Sequence, residues 1–127
     1  MTQIIFTDKA PKAIGPYSQG VMVGDLLFLS GQLPVDPITN EVVESDINTQ
    51  INQVMQNITA ILESQHLSIK NIVKTTIFLK DMEQFAIVNE QYSKHLGQHR
   101  PARSTVEVSR LPKDVLVEIE VIATLTF

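Results

Sequence analysis

The chain contains no cysteine. It therefore has no disulfide framework, no thiolate-ligated metal and no thiol nucleophile. Such a composition is compatible with a reducing compartment. No run of lysine and arginine occurs, and the formal net charge is −4. Phosphate recognition needs clustered cations, so no nucleic-acid partner is expected. No apolar run is long enough for a transmembrane helix, so no membrane partner is expected either. The opening residues Met1 to Lys9 lack the charged-then-apolar pattern of a secretory signal, and the cytoplasm is the expected location. Glycine is scarce, at five residues. Gly15 and Gly31 are too isolated to form a phosphate-cradling loop, and no nucleophile elbow surrounds Ser30. His95 and His99 stand at a spacing that can hold metal on a helix. Gly97 interrupts that helix and no acidic ligand sits close by, so no metal is expected.

What is present suits one domain over residues 1–127, with 43% hydrophobic and 19% charged residues. Residues 3–6 predict a short edge strand. Residues 20–23 and 26–30 flank Gly24-Asp25, a two-residue hairpin signal. Ile47, Ile51, Val54, Met55, Ile58, Ile61 and Leu62 recur at spacings of three and four, which predicts a helix over 46–65 with Ser45 or Asp46 as its cap. Residues 71–79 predict a strand. A second helix follows Asp81, buries Phe85, Val88, Tyr92 and Leu96, and ends at Gly97. The recurrent strand–helix–strand order implies an α+β domain, a mixed sheet with two helices on one face.

The C-terminal run Arg100–Thr124 predicts two further strands, 102–108 and 115–125, paired as an antiparallel hairpin across the turn residues Ser109–Asp114. With Val108 opposite Val115, Thr105 faces Glu118 and Arg103 faces Glu120 on one sheet face. That patch has two readings: an ordinary cross-strand ion pair, or a ligand site. The second strand is apolar on both faces, as covered strands are, and charges on a covered surface need partners or a ligand. No element remains to cover the second face, so a homo-oligomer is expected. Arg103 can grip a carboxylate by two parallel hydrogen bonds. Glu118 is the natural general base or water-positioning group. Tyr17, after Gly15-Pro16, either packs on the sheet or is held over a cleft. Asn89 reads as an ordinary exposed helix residue.

Gly15-Pro-Tyr17, Leu29-Ser-Gly-Gln32, Val73–Asp81, Phe85-x-x-Val-Asn89 and Arg100–Glu120 together resemble the RidA (YjgF) family, in its arginine-bearing archetypal branch. The resemblance spans nearly the whole chain. It implies a chorismate-mutase-like fold and a homotrimer with an internal β-barrel and clefts between subunits. It also implies a 2-iminobutanoate/2-iminopropanoate deaminase that works without a cofactor. These reactive imines come from pyridoxal-phosphate dehydratases and are hydrolysed to 2-oxo acids and ammonia. By the same resemblance, Arg103 and the Gly31 backbone N–H bind the substrate carboxylate, and Glu118 orients or deprotonates water. Tyr17, Ser30 and Asn89 line the cleft, Tyr17 from a neighbouring subunit. Thr105 occupies a position where many members carry cysteine, and supplies contacts and packing in its place. The chain is also slightly shorter ahead of Arg100. A non-catalytic module that binds a small carboxylate and regulates a partner is the competing function, and an RNA-acting protein is a second.

Overall fold

The computed structural model describes residues Thr2–Thr126. Six strands, β1 (Thr2–Ile5), β2 (Gly20–Val23), β3 (Leu26–Gln32), β4 (Ile72–Leu79), β5 (Ala102–Glu107) and β6 (Val117–Thr124), form one mixed sheet. Their order across it is β1-β2-β3-β6-β4-β5. Only β4 and β5 run parallel; the other pairs are antiparallel. Helices α1 (Ile47–Ser64) and α2 (Phe85–Leu96) supply the second layer.

The helical periodicity of the sequence maps onto the core. Ile51, Val54, Met55, Ile58, Ile61 and Leu62 are all fully buried along α1. Each such side chain stabilises the fold by about 1.5–3 kcal/mol relative to exposure. Asp46 is the cap: its carboxylate accepts from the Thr49 backbone N–H at 2.9 Å. On α2, Val88, Tyr92 and Leu96 are buried, and Gly97 follows with φ 64°, a left-handed stop suited to glycine. Asp81 caps a short 3₁₀ turn, Met82–Gln84, that precedes α2.

The expected C-terminal hairpin does not form. β5 leaves for the sheet edge beside β4, whereas β6 inserts between β3 and β4. The cause is burial. Val117, Ile119, Val121 and Ala123 are all buried against the helices, while Glu118 and Ile122 on the opposite face are half-buried. A strand apolar on both faces gains most at the centre of the sheet, flanked on both sides. An edge position would leave one flank of this strand unpaired. The reversal at Pro112–Asp114 uses two consecutive left-handed residues, Lys113 (φ 58°) and Asp114 (φ 56°).

One sheet face is packed by the helices and the other is open. The open face carries Ile4, Val23, Leu26, Phe28 and Val106, all exposed. Exposed aromatic and aliphatic side chains in such a contiguous set mark an association surface.

Candidate functional site

Register decides where the chemistry sits. Arg103 lies opposite Thr75, and Thr105 opposite Ile77, so both project to the helix-covered face. Glu118 lies opposite Phe78, and Glu120 opposite Thr76, so both project to the open face. The expected pairings of Thr105 with Glu118 and of Arg103 with Glu120 therefore do not occur. The candidate residues divide into two clusters on opposite faces of one sheet.

The first cluster is built at the edge strand. The Arg103 guanidinium lies 5.4 Å from the Phe85 ring centroid and 5.5 Å from that of Tyr92. Both rings favour a cation in that position. Arg103 Nη1 donates to Asn89 Oδ1 at 2.6 Å, so Asn89 is a tether for the arginine rather than an idle surface residue. Tyr92 is in turn fixed by a 2.7 Å hydrogen bond to the buried Thr75 hydroxyl. Burial raises the Tyr92 pKa above its ordinary value, opposed by that bond and by Arg103 and Arg100. Arg103 makes no ion pair among the described residues. It is a rigid fork with its charge unspent, suited to a carboxylate. Two residues along, the Thr105 Oγ1 is buried and has no hydrogen-bond partner among the described residues.

The second cluster surrounds a cavity of about 510 Å³ on the open side, lined by Tyr17, Ser30, Gly31 and Glu118. The β3–β6 register shifts between Leu29 and Gln32, a bulge that re-aims Ser30 and Gly31. The Glu118 carboxylate lies against Gly31. A Cβ built there would overlap Glu118 Oε2 and come within 2.8 Å of its Cδ. Burial, and secondarily the like charge of Glu120, hold the Glu118 carboxyl above its ordinary range. A half-buried carboxylate of raised basicity in a cavity is suited to taking a proton from water.

Buried amides fix the surrounding loops. Gln19 donates through Nε2 to the carbonyls of Thr7, Ala10 and Pro11, and its Oε1 accepts from the Thr7 N–H at 2.7 Å. The Ser30 N–H donates to the Gln19 carbonyl, and the Ser30 hydroxyl to the Ser18 carbonyl. The loop carrying exposed Tyr17 is thus tied to β3 on one side of the cavity. On the other, Asn57 of α1 donates to the carbonyls of Leu33 and Val35.

Lys12, Asn40, Pro112 and Lys113 also line the cavity and carry no motif of their own. The signal available for the last two was the Pro112-Lys113-Asp114 turn, whose backbone is left-handed here. A second cavity of about 560 Å³ lies over the helical layer near Lys9, Glu63 and His95. It is marginally larger, but its histidine, His95, is bonded to Asn52 and has its pKa lowered by burial. His99 is turned to the Ile72 carbonyl, so the two histidines do not converge. Among the described residues no three His, Asp or Glu side chains gather as metal ligands, and no helix is long and apolar enough to cross a membrane.

Residues 7–125 match the model of the family described as Endoribonuclease L-PSP, the YjgF/RidA family. The chain belongs to that family. A RutC family protein of Pyrococcus horikoshii is 54% identical, covering 97% of this chain and 98% of the relative. A Salmonella typhimurium protein named 2-iminobutanoate/2-iminopropanoate deaminase is 51% identical, covering 97% of this chain and 98% of the relative. The crystal structure of Escherichia coli TdcF with bound serine superposes with a TM-score of 0.93 at 45% identity, covering 98% and 99% of the two chains. The YjgF/RidA resemblance of the sequence motifs and the α+β expectation both agree with these matches.

Proposed function

We propose that this protein hydrolyses 2-imino acids, with 2-iminobutanoate and 2-iminopropanoate as substrates, to 2-oxo acids and ammonia. We further propose that the reaction takes place in the cytoplasm, in sites completed between the subunits of a chorismate-mutase-like homotrimer with an internal β-barrel. The observation that carries this reading is the separation of Arg103 from Glu118. One chain holds a carboxylate-binding fork on one face of its sheet and a basic carboxylate on the other. The two project from opposite faces of the sheet with β4 between their strands, so the site in this reading draws them from different protomers. The unpartnered apolar face beside Glu118 supports closure by a second copy, which would bring its edge strand β5 to the first copy's cavity.

In this reading Arg103, stacked on Phe85 and Tyr92 and tethered by Asn89, holds the substrate carboxylate, with the Gly31 N–H assisting. Tyr17, Ser30 and Thr105 line the cleft. Glu118 takes a proton from water as its oxygen bonds to the imine carbon, and the C=N π electrons move to nitrogen. Glu118 returns that proton to the carbinolamine nitrogen and, as the C–N bond breaks, takes up the proton of the new hydroxyl. Ammonia leaves as the C=O bond forms. A protonated imine is already a good electrophile, so positioning and one base suffice. A general base contributes on the order of 10²–10⁴-fold. No step needs a thiolate, in keeping with a sequence that has no cysteine.

The test is a coupled assay. Threonine dehydratase generates 2-iminobutanoate in situ, and semicarbazide traps what remains. Wild-type protein is expected to reduce trapping, and Arg103→Ala and Glu118→Ala to lose that effect. A folded wild type that leaves trapping unchanged while binding small carboxylates would favour the regulatory module, a reading to which the serine bound in TdcF gives some support. Tight, strongly salt-dependent RNA binding would favour the endoribonuclease activity for which the family is named.

A further inference from the structure

Glu120 is not accounted for by the fold. It is exposed on the open face, opposite the neutral Thr76. Among the described residues its side chain makes neither an ion pair nor a hydrogen bond; the ion pairs there are Glu90–Lys94 and Asp114–Arg110. The cation of the adjacent strand on that face, Lys74, is the diagonal neighbour of Glu120 and lines one small cavity with it, but its Nζ is directed to Ser104 Oγ at 3.5 Å and makes no ion pair with Glu120. Glu120 is also two residues from Glu118 on one strand, which places both side chains on the same face with their α-carbons about 7 Å apart along it. That separation is shorter than a Debye length at physiological salt, about 8 Å, so the repulsion is not screened away.

We propose that Glu120 is a positioning residue that acts through Glu118, as a neighbouring like charge that strengthens the base. The proposal rests on the deaminase reading for its catalytic consequence, but not for the coupling itself. The other groups around Glu118 cannot substitute for it. From β3 come Ser30 and Gly31, and from β4 Phe78, none of them charged. From the loops come Tyr17, Lys12 and Lys113 at the cavity wall. The two lysines favour the carboxylate form and so act in the opposite sense. Burial and Glu120 are the two influences that hold the Glu118 carboxyl above its ordinary range, with burial the larger. A second copy covering the open face would exclude water between the two carboxylates and strengthen their coupling.

The test follows the Glu118 carboxyl by carbon NMR across pH in wild type and Glu120→Gln, with Glu118→Gln to assign the signal. The deaminase pH profile is recorded beside it. In Glu120→Gln the Glu118 midpoint is expected to move to lower pH. The acid limb of kcat/KM should move with it, and kcat at neutral pH should fall with KM little changed. Glu120→Asp, which keeps the charge, is expected to restore the wild-type midpoint. Added salt gives a second measurement, made on both proteins. Screening of Glu120 lowers the wild-type midpoint, whereas screening of Lys12 and Lys113 raises it. A midpoint unmoved in Glu120→Gln, or a salt response of the midpoint identical in wild type and Glu120→Gln, overturns the proposal. A shifted midpoint in a wild type that hydrolyses no imine would leave the coupling standing and overturn the deaminase reading instead.

Discussion

The carboxylate of Glu118 lies over the α-carbon of Gly31, in the space that any side chain at residue 31 would fill. Gly31 is therefore required by its neighbour rather than by its own backbone, since it is not among the glycines of positive φ. Gly31→Ala is expected to displace the Glu118 side chain and lower imine hydrolysis by at least about 10²-fold, the loss of a positioned base. Circular dichroism should show an intact fold, and the semicarbazide assay reads the activity.

Opposite placement of Arg103 and Glu118 makes a sharper prediction. Arg103→Ala and Glu118→Ala should each be inactive alone. Unfolded together in equal amounts and refolded, they should form mixed assemblies. If each site takes Arg103 from one copy and Glu118 from another, about a quarter of the sites in a random mixture carry both. Recovered activity near that fraction supports the inter-subunit site. A mixture as inactive as its parents would place the whole site within one chain, against the register of β5 and β6.

Much of this fold was legible from periodicity. The spacing of the α1 isoleucines and the double-sided apolarity of β6 each report burial directly, and burial is what the sequence pattern encodes. Partner choice between strands was not. β5 and β6 are neighbours in sequence and joined by turn residues, so a hairpin is the local expectation. The competing slot between β3 and β4 is created by chain distant in sequence, beyond α2 and β5, and no local signal announces it. The same failure misplaced the site. Arg103, Thr105, Glu118 and Glu120 were expected on one patch of the sheet, and the register instead divides them between its two faces. Tyr92 was read only as core, although it also forms part of the arginine's bed. Its spacing on α2 serves both purposes and cannot separate them.

The raised Glu118 pKa links activity and stability with opposite signs. Activity needs the carboxylate, so kcat/KM should fall as pH drops through a midpoint above the ordinary 4.5 of glutamate. Stability runs the other way. A carboxyl that binds its proton more tightly folded than unfolded destabilises the fold as pH rises from the unfolded value through the folded one, and fully so above it. Glu118→Gln removes that cost. It is expected to raise Tm at pH 7.5, with the gain disappearing below pH 4.5, while abolishing hydrolysis. Thermal melts across pH read the first effect and the coupled assay the second. A Tm gain that persists undiminished at low pH would contradict the assignment.

Tyr92→Phe separates the arginine's stacking from the core's hydrogen bonding. The phenol and Thr75 are bonded at 2.7 Å, and Thr75 is only 1% exposed. Removing the phenolic oxygen strands a buried hydroxyl and should cost about 1–3 kcal/mol in denaturant unfolding. The ring beneath Arg103 remains, so hydrolysis should fall far less than in Arg103→Ala.

Thr105 decides whether the missing thiol matters. Its hydroxyl is buried and has no hydrogen-bond partner among the described residues, two residues from Arg103 on the same face. A buried hydroxyl without a partner costs stability unless something outside the protomer satisfies it. In the proposed site that something is the substrate or a neighbouring subunit. Thr105→Val keeps the shape and removes the hydroxyl. It should leave the melting temperature unchanged or higher and weaken substrate binding, seen as a higher KM with kcat largely kept. Thr105→Cys should remain active without exceeding wild type by an order of magnitude, because the proposed reaction uses water at Glu118 and no thiolate. A cysteine variant that gains activity far beyond that, and forms a covalent adduct detectable by mass spectrometry, would show that a thiolate route exists at this position and that the water mechanism is the weaker of the two.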